Sequence, residues 1–214
     1  MHKEVHITPL TKFQFINRHQ LRIMNAIHSI SNRSKNFSDS VLFNAIKPFL
    51  IIKRLKKQET LLLEGDVCNK IYFVKSGVVK QYYISEGKEF IQNFFFEGDI
   101  ATVYNSFLSQ EPSDSNLEAV EETELMVLSF HAFHSIAAAK PELNAHFTIS
   151  MSKMNTKRVN LLLMSDGMLR YKKFLASENA ITQRVPQYMI ASYLGMSPET
   201  LSRIRKRMAL RKAA

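Results

Sequence analysis

Residues 181–208, ITQRVPQYMIASYLGMSPETLSRIRKRM, constrain the fold of this chain more than any other stretch. The pattern predicts a helix over 186–194, a tight turn at Gly195 and a second helix starting near Ser197. Pro186 suits a first helical turn, where its missing N–H is harmless. Gly195 can take positive φ without a Cβ clash. Ser197 is a good N-cap, Pro198 a good first helical residue, and Glu199 a favourable charge at the positive helix end. Ile190, Ala191, Leu194, Met196, Leu201 and Ile204 then close the two helices on each other and on a core. Left outward on the second helix are Glu199, Thr200, Ser202, Arg203, Arg205, Lys206 and Arg207. A short polar start followed by a basic face is what a groove-reading helix needs. A basic face on a helical hairpin is usually only solvated. Here the turn chemistry, the small Ala191 and the charge placement agree on duplex DNA. The residues expected to face DNA are therefore Ser197, Pro198, Glu199, Thr200, Ser202, Arg203, Arg205, Lys206 and Arg207.

The charge map supports this independently. Lys/Arg and Asp/Glu balance at sixteen each over residues 1–150, whereas residues 151–214 carry thirteen against three, the whole net +10. A neutral front joined to a basic end suits a sensor attached to a polyanion-binding unit. Apolar content of 45% and charged content of 22% are ordinary for a globular chain. No window nears the ~18 uninterrupted apolar residues of a membrane span, and no secretory h-region opens the sequence, so a cytoplasmic protein without membrane contact is expected. The lone Cys68 excludes an internal disulfide and a cysteine-ligated iron–sulfur cluster within one chain.

In order, residues 1–37 read as a basic extension with one helix over 20–30, and a second helix is expected from Ser38 to about Phe49. Short runs rich in Ile, Leu, Val, Tyr and Phe follow, with Gly65, Gly77, Gly87 and Gly98 at intervals of ten to twelve residues. Regular short strands with turns at that spacing predict an antiparallel sandwich or barrel. A polar loop is expected at 109–116 and closing strands in LEAVEETELMVLS. From 142 to about 164 one long helix is expected, with Leu143, Phe147, Met151, Met154, Leu161 and Leu162 near one side. At 1.5 Å per residue it spans about 33 Å. That is more than a small sheet domain covers, and it predicts a homodimer seam. Gly167 is expected to end it.

Sandwich, long helix, then helix-turn-helix is the order of the catabolite activator/fumarate–nitrate regulator (CRP/FNR) family, which this chain resembles from about Leu21 onward. The resemblance rests on Glu64-Gly65-Asp66, IYFVKSG with Gly77, Phe96-Glu97-Gly98-Asp99 and IASYLGMSPETLSRIRKR. It implies an α+β architecture: a β-roll (cyclic-nucleotide-binding-like jelly roll) with flanking helices over 38–140, a dimerisation helix over 141–165 and a helix-turn-helix domain over 166–214. By position it assigns base contact to Pro198, Glu199 and Arg203, with no Arg at the first of these. In cyclic-nucleotide binders of this fold an Arg and a Ser/Thr hold the phosphate and an acid holds the ribose. Here Gly98 and Asp99 stand for the Gly–acid pair, and Ser113 and Asp114 fall where Arg and Ser/Thr should be. No Lys or Arg lies between Lys88 and Lys140, and a phosphate facing Asp114 without a cation is repelled. Control by cyclic AMP is therefore not expected. A cyclic-nucleotide- or other small-molecule-responsive regulator with a divergent pocket is the alternative. The expected partners are double-stranded DNA, a second copy, RNA polymerase, and an unknown small molecule or none.

Other classes fare worse. A cupin-like metal enzyme needs His and carboxylate ligands inside the barrel, yet no histidine lies between His28 and His131. His131 and His134 lack a third ligand candidate. No catalytic residue, metal site or cofactor is expected, and the protein is not read as an enzyme. A basic tail serving RNA or a membrane surface would not require the ordered turn and cap.

Overall fold

The computed structural model describes residues 41–178 and 182–213. The N-terminal extension, the helix over 20–30, the Ser38 cap and Ile181 lie outside the described residues. Helix α1 (Val41–Ile46) passes into a single 3-10 turn at Lys47–Phe49. Pro48 sits in that turn, because it cannot donate the hydrogen bond that would continue the α-helix.

Eight antiparallel strands follow: β1 (Ile51–Leu55), β2 (Thr60–Leu62), β3 (Lys70–Ser76), β4 (Val79–Ser85), β5 (Lys88–Phe95), β6 (Ile100–Ala101), β7 (Asn116–Ala119) and β8 (Thr123–Ser129). They form two four-stranded sheets, ordered β1-β8-β3-β6 and β2-β7-β4-β5. Residues alternate between the packed interior and the outside, so Val79, Phe95, Leu117 and Leu125 fill the space between the sheets. A short helix, α2 (Tyr104–Ser109), lies between β6 and β7. Of the expected polar loop, only 110–115 is non-regular, since Asn116 already belongs to β7.

Helix α3 (Phe130–Ala139) is N-capped by Ser129, whose Oγ accepts the Ala132 N–H. Helix α4 (Pro141–Leu162) is the long helix, 22 residues in length. Leu143, Phe147 and Met151 bury its first half against the sandwich, where Phe107 meets Phe133 and Phe147 edge-on at 5.5 and 5.6 Å. Gly167 does not end α4. The chain turns at 163–166, and Gly167 opens α5 (Gly167–Glu178) with Asp166 Oδ1 accepting the Met168 N–H. Helices α6 (Gln187–Tyr193) and α7 (Pro198–Ala213) complete the chain.

A second core gathers Tyr171, Phe174, Val185, Ile190, Ala191, Leu194 and Leu201 against Val78, Tyr82, Ile91, Phe94, Phe96 and Val120 of the β-roll. The C-terminal helices are thus completed by the outer face of the β2-β7-β4-β5 sheet. Each large side chain fully buried there contributes about 1.5–3 kcal/mol.

Candidate nucleic-acid interface and effector cavities

Helices α6 and α7 are set by three local devices. Pro186 is extended, φ −54° and ψ 141°, so it caps α6 from outside and does not occupy its first turn as expected. Gly195 has φ +63°, a left-handed conformation that a Cβ would strain. Ser197 Oγ accepts the Thr200 N–H at 3.2 Å, the expected N-cap of α7. Ile190, Ala191, Leu194 and Leu201 are buried, with Met196 and Ile204 packed beside them.

The outward side of α7 carries Ser197, Pro198, Glu199, Ser202, Arg203, Arg205, Lys206 and Arg207, all exposed, with Thr200 half-buried. At 100° per residue Glu199, Ser202, Arg203 and Lys206 centre on the exposed face, and Arg205 and Arg207 flank it. Hydrogen bonds from its own backbone and from Ser197, with Arg203 nearby, hold the Glu199 carboxyl below its ordinary range. A groove between the start of α6 and α7 is lined by Gln187, Pro198, Ser202, Arg205 and Lys206.

The four residues expected to form one effector pocket do not share a cavity. Gly98 and Asp99 belong to the tight β5–β6 turn, where Asp99 Oδ2 accepts the Phe96 N–H at 2.9 Å. They line a cavity of about 320 Å³ beside α4. Asp114 lines a different cavity, about 620 Å³, between the β-roll, α4 and the α6–α7 turn. Ser113 lines neither; it is buried, and its Oγ donates to the Ser115 carbonyl. The reason is geometric: the Gly–Asp pair closes a turn at the rim, whereas the 113–116 segment enters a strand.

The larger cavity has one polar wall. A chain of hydrogen bonds runs from Asp114 through Ser115 Oγ and the Gln81 amide to Asn93 Nδ2. The stretch between β5 and α3 supplies no cation, yet one reaches the cavity from elsewhere. Arg158 of α4 lines it. Sequence reading confined to the loop missed this side chain; its position on the predicted inward side of the long helix was the available signal. The guanidinium is already engaged. It donates to the carbonyl oxygens of Tyr193 and Ile91 and lies 4.2 Å from the centre of the Tyr193 ring. Burial first, and then the neighbouring Arg170, lower its proton affinity, partly offset by tyrosines. Arg170 in turn donates to Leu194 and Met164 carbonyls. The two arginines together bind the C-terminal carbonyls of α6, where positive charge is favourable.

Among the described residues no cluster of His, Cys, Asp and Glu could hold a metal ion, and no helix is long and apolar enough to cross a membrane.

The family model of the cyclic nucleotide-binding domain matches residues 52–140. The fold carries the likeness beyond that domain: FixK2 of Bradyrhizobium japonicum superposes with a TM-score of 0.68 at 19% identity, covering 76% of this chain and 86% of the other. The chain is similar to proteins of the CRP/FNR family. Among its curated relatives, the anaerobic regulatory protein of Haemophilus influenzae is 28% identical over 169 residues, 71% of this chain. The transcriptional activator protein Anr of Pseudomonas protegens is 27% identical over 172 residues, 72% of this chain and 70% of its own. The match spans 64% of the Haemophilus relative's length, just under two thirds.

Proposed function

We propose that this chain regulates transcription by binding an inverted-repeat duplex site as a homodimer, with residues 166–214 as the DNA-binding unit. The observation carrying this reading is the capped, outward-facing α7, whose exposed face pairs a polar N-terminal end with Arg203, Arg205, Lys206 and Arg207. The names of the two curated relatives, a regulatory protein and a transcriptional activator, agree with it. Self-association through α4 is supported by Ile149, Val159 and Leu163, exposed at 51, 53 and 76% along one side of the helix. RNA polymerase is a further partner on this reading, and binding, not catalysis, is the activity.

The β-roll works without cyclic AMP on the same reading. Asp114 faces the larger cavity, and Arg158, its guanidine cation, is bound to two main-chain carbonyls. A different small molecule acting through this larger cavity is the second reading, supported by the Asp114–Ser115–Gln81–Asn93 chain.

Selection of bound duplexes from a random pool, repeated with and without metabolite extract, tests both. An enriched palindromic site is expected, bound by a dimer with affinity falling steeply in salt. Equal retention of RNA, anionic vesicles and random DNA, or a monomer at micromolar concentration, would refute it.

A further inference from the structure

We infer that the cavity of about 320 Å³ where the β-roll, α4 and the C-terminal helices meet is a ligand site of its own, taking a planar aromatic monoanion such as an aryl carboxylate. Its walls are aromatic. Phe94 and Phe96 come from the β-roll, Phe174 from α5 and Tyr193 from α6. Phe94 and Tyr193 lie 5.4 Å apart at 49°, Phe174 and Tyr193 5.7 Å apart at 52°. Rings tilted in this way present both edges and faces, which suits a flat guest better than a branched one. Met151 and Met154 supply an adaptable apolar side. The volume lies at the small end of ligand pockets, roughly 300–1,000 Å³, and fits one or two fused rings.

The charge of the guest follows from the lining. Lys153 and Lys157, one helical turn apart on α4, both line the cavity. One acid opposes them, Asp99, and its Oδ2 is turned onto the Phe96 N–H of its own turn. Two ammonium groups against one carboxylate leave the lining net positive. A ring system buried among the aromatics would carry its anionic group at the lysines, which bind as flexible point charges.

Counting 100° per residue, the centre of Ser150, Lys153 and Lys157 lies roughly 110° around α4 from that of Ile149, Val159 and Leu163, with Lys153 the nearest to the proposed seam. The cavity adjoins the β-roll cavity of Asp114 and Arg158 at Asn93 and Met154, which line both, whereas Phe94, Phe96, Phe174, Tyr193, Lys153 and Lys157 line this one alone. A guest would touch the β-roll, the long helix and the C-terminal helices together, so it would stabilise their docked arrangement over any other.

The test is calorimetric titration of the full chain with 1-naphthoate, against neutral 1-naphthalenemethanol and cationic 1-naphthylmethylamine. Naphthoate is expected to bind at least about tenfold more tightly than either. Lys153→Ala/Lys157→Ala should remove that preference while leaving the neutral compound unchanged. Ser150→Trp, at an exposed rim position, should block all three, with its melting temperature checking that it is folded. Asn105→Trp, in the larger β-roll cavity, separates the two places; loss of naphthoate binding in that variant would put the guest in the β-roll and overturn the assignment. No heat at millimolar naphthoate, or equal binding of the three compounds, would overturn it too. No DNA enters the assay, so its result stands apart from the DNA-binding reading.

Discussion

Arg184 grips both carboxylate oxygens of Glu97, Nη1 to Oε2 at 3.1 Å and Nη2 to Oε1 at 2.7 Å, across 87 residues of sequence. The same guanidinium reaches Glu121 in the β7–β8 turn, and Glu97 also accepts the Gly77 N–H at 2.9 Å. One arginine just before α6 thereby ties the C-terminal helices to two turns at one end of the β-roll. A planar fork matched to a carboxylate makes this pair more directional than a lysine contact would be.

This clamp sets an acid limit on stability. Burial by itself would raise the Glu97 carboxyl, but the Arg184 hydrogen bonds and the backbone N–H contacts outweigh it, so its pKa is lowered from 4.5. A carboxyl depressed in the folded state contributes stability above its unfolded pKa, and that contribution is lost as pH falls through the folded value. Denaturant titrations should show stability declining below about pH 4.5. Glu97→Gln should flatten that decline without abolishing it, because Lys75 and Arg54 hold Glu124 low in the same window despite its burial. At neutral pH Arg184→Ala should cost about 1–2 kcal/mol, allowing for screening of groups about one-third exposed. An unchanged pH profile in Glu97→Gln would refute this account.

Gly77, at the centre of that contact, tolerates no side chain. Its φ is +97°, and an added Cβ would sit 2.3 Å from Thr123 Oγ1 and 2.6 Å from Thr123 Cα. Because one clash is with backbone, no rotamer relieves it. Gly77→Ala should destabilise the β-roll by about 2–4 kcal/mol, summing left-handed strain and overpacking. Gly87→Ala has a positive φ of +72° but open space around it, and should cost less. Thermal melts of the two variants side by side check the difference.

The sandwich, the long helix and the α6–turn–α7 unit were legible because each rests on local rules: period-2 strands, a helical stripe, a glycine turn and a serine cap. What could not be read was tertiary. Lys80 sits in β4 as an apparently outward polar residue, yet its side chain is 2% exposed and held by Glu89 at 2.8 Å and Glu118 at 3.2 Å. Its burial depends on what covers the outer sheet face, which no local pattern records. Arg158 was missed for a related reason. The cation at the larger cavity comes from a helix some 40 residues beyond the loop where the family pattern places it, a separation that sequence periodicity does not bridge. The effector residues were split because Gly98–Asp99 and Ser113–Asp114 were joined by analogy, whereas the chain sends the first pair to a turn and the second toward β7.

On α7 the arginines and lysine should divide their labour. Arg203 stands on the centre of the exposed face one turn from the N-terminal end, where helices in a major groove meet base edges. Arg203→Ala should cost about 1–3 kcal/mol on the selected site and relax preference there. Lys206 lies a turn further on and is assigned to the phosphates on the proposed reading; Lys206→Ala should weaken all sequences alike and reduce the salt slope by about one. Competition binding on selected and scrambled duplexes at several salt concentrations separates the two, and identical effects of both changes would refute the assignment.

Cyclic nucleotides should leave this protein unmoved. The motivating observation is twofold: no Lys or Arg lies between Lys88 and Lys140, and the cation that does line the larger cavity, Arg158, is spent on the Tyr193 and Ile91 carbonyls. A phosphate drawing Arg158 away would leave those carbonyls unpaired and break the tie between α4 and α6, while facing Asp114. Were a nucleotide to bind the folded state, stability would rise by about 2.7 kcal/mol at a hundredfold excess over Kd. In a chain of this size that moves the melting temperature by a few degrees. No such shift is expected with millimolar cyclic AMP or cyclic GMP, nor any change in DNA affinity. A micromolar Kd for either nucleotide by calorimetry would sink the idea, and loss of that binding in Arg158→Ala would identify the long helix as the source of the missing charge.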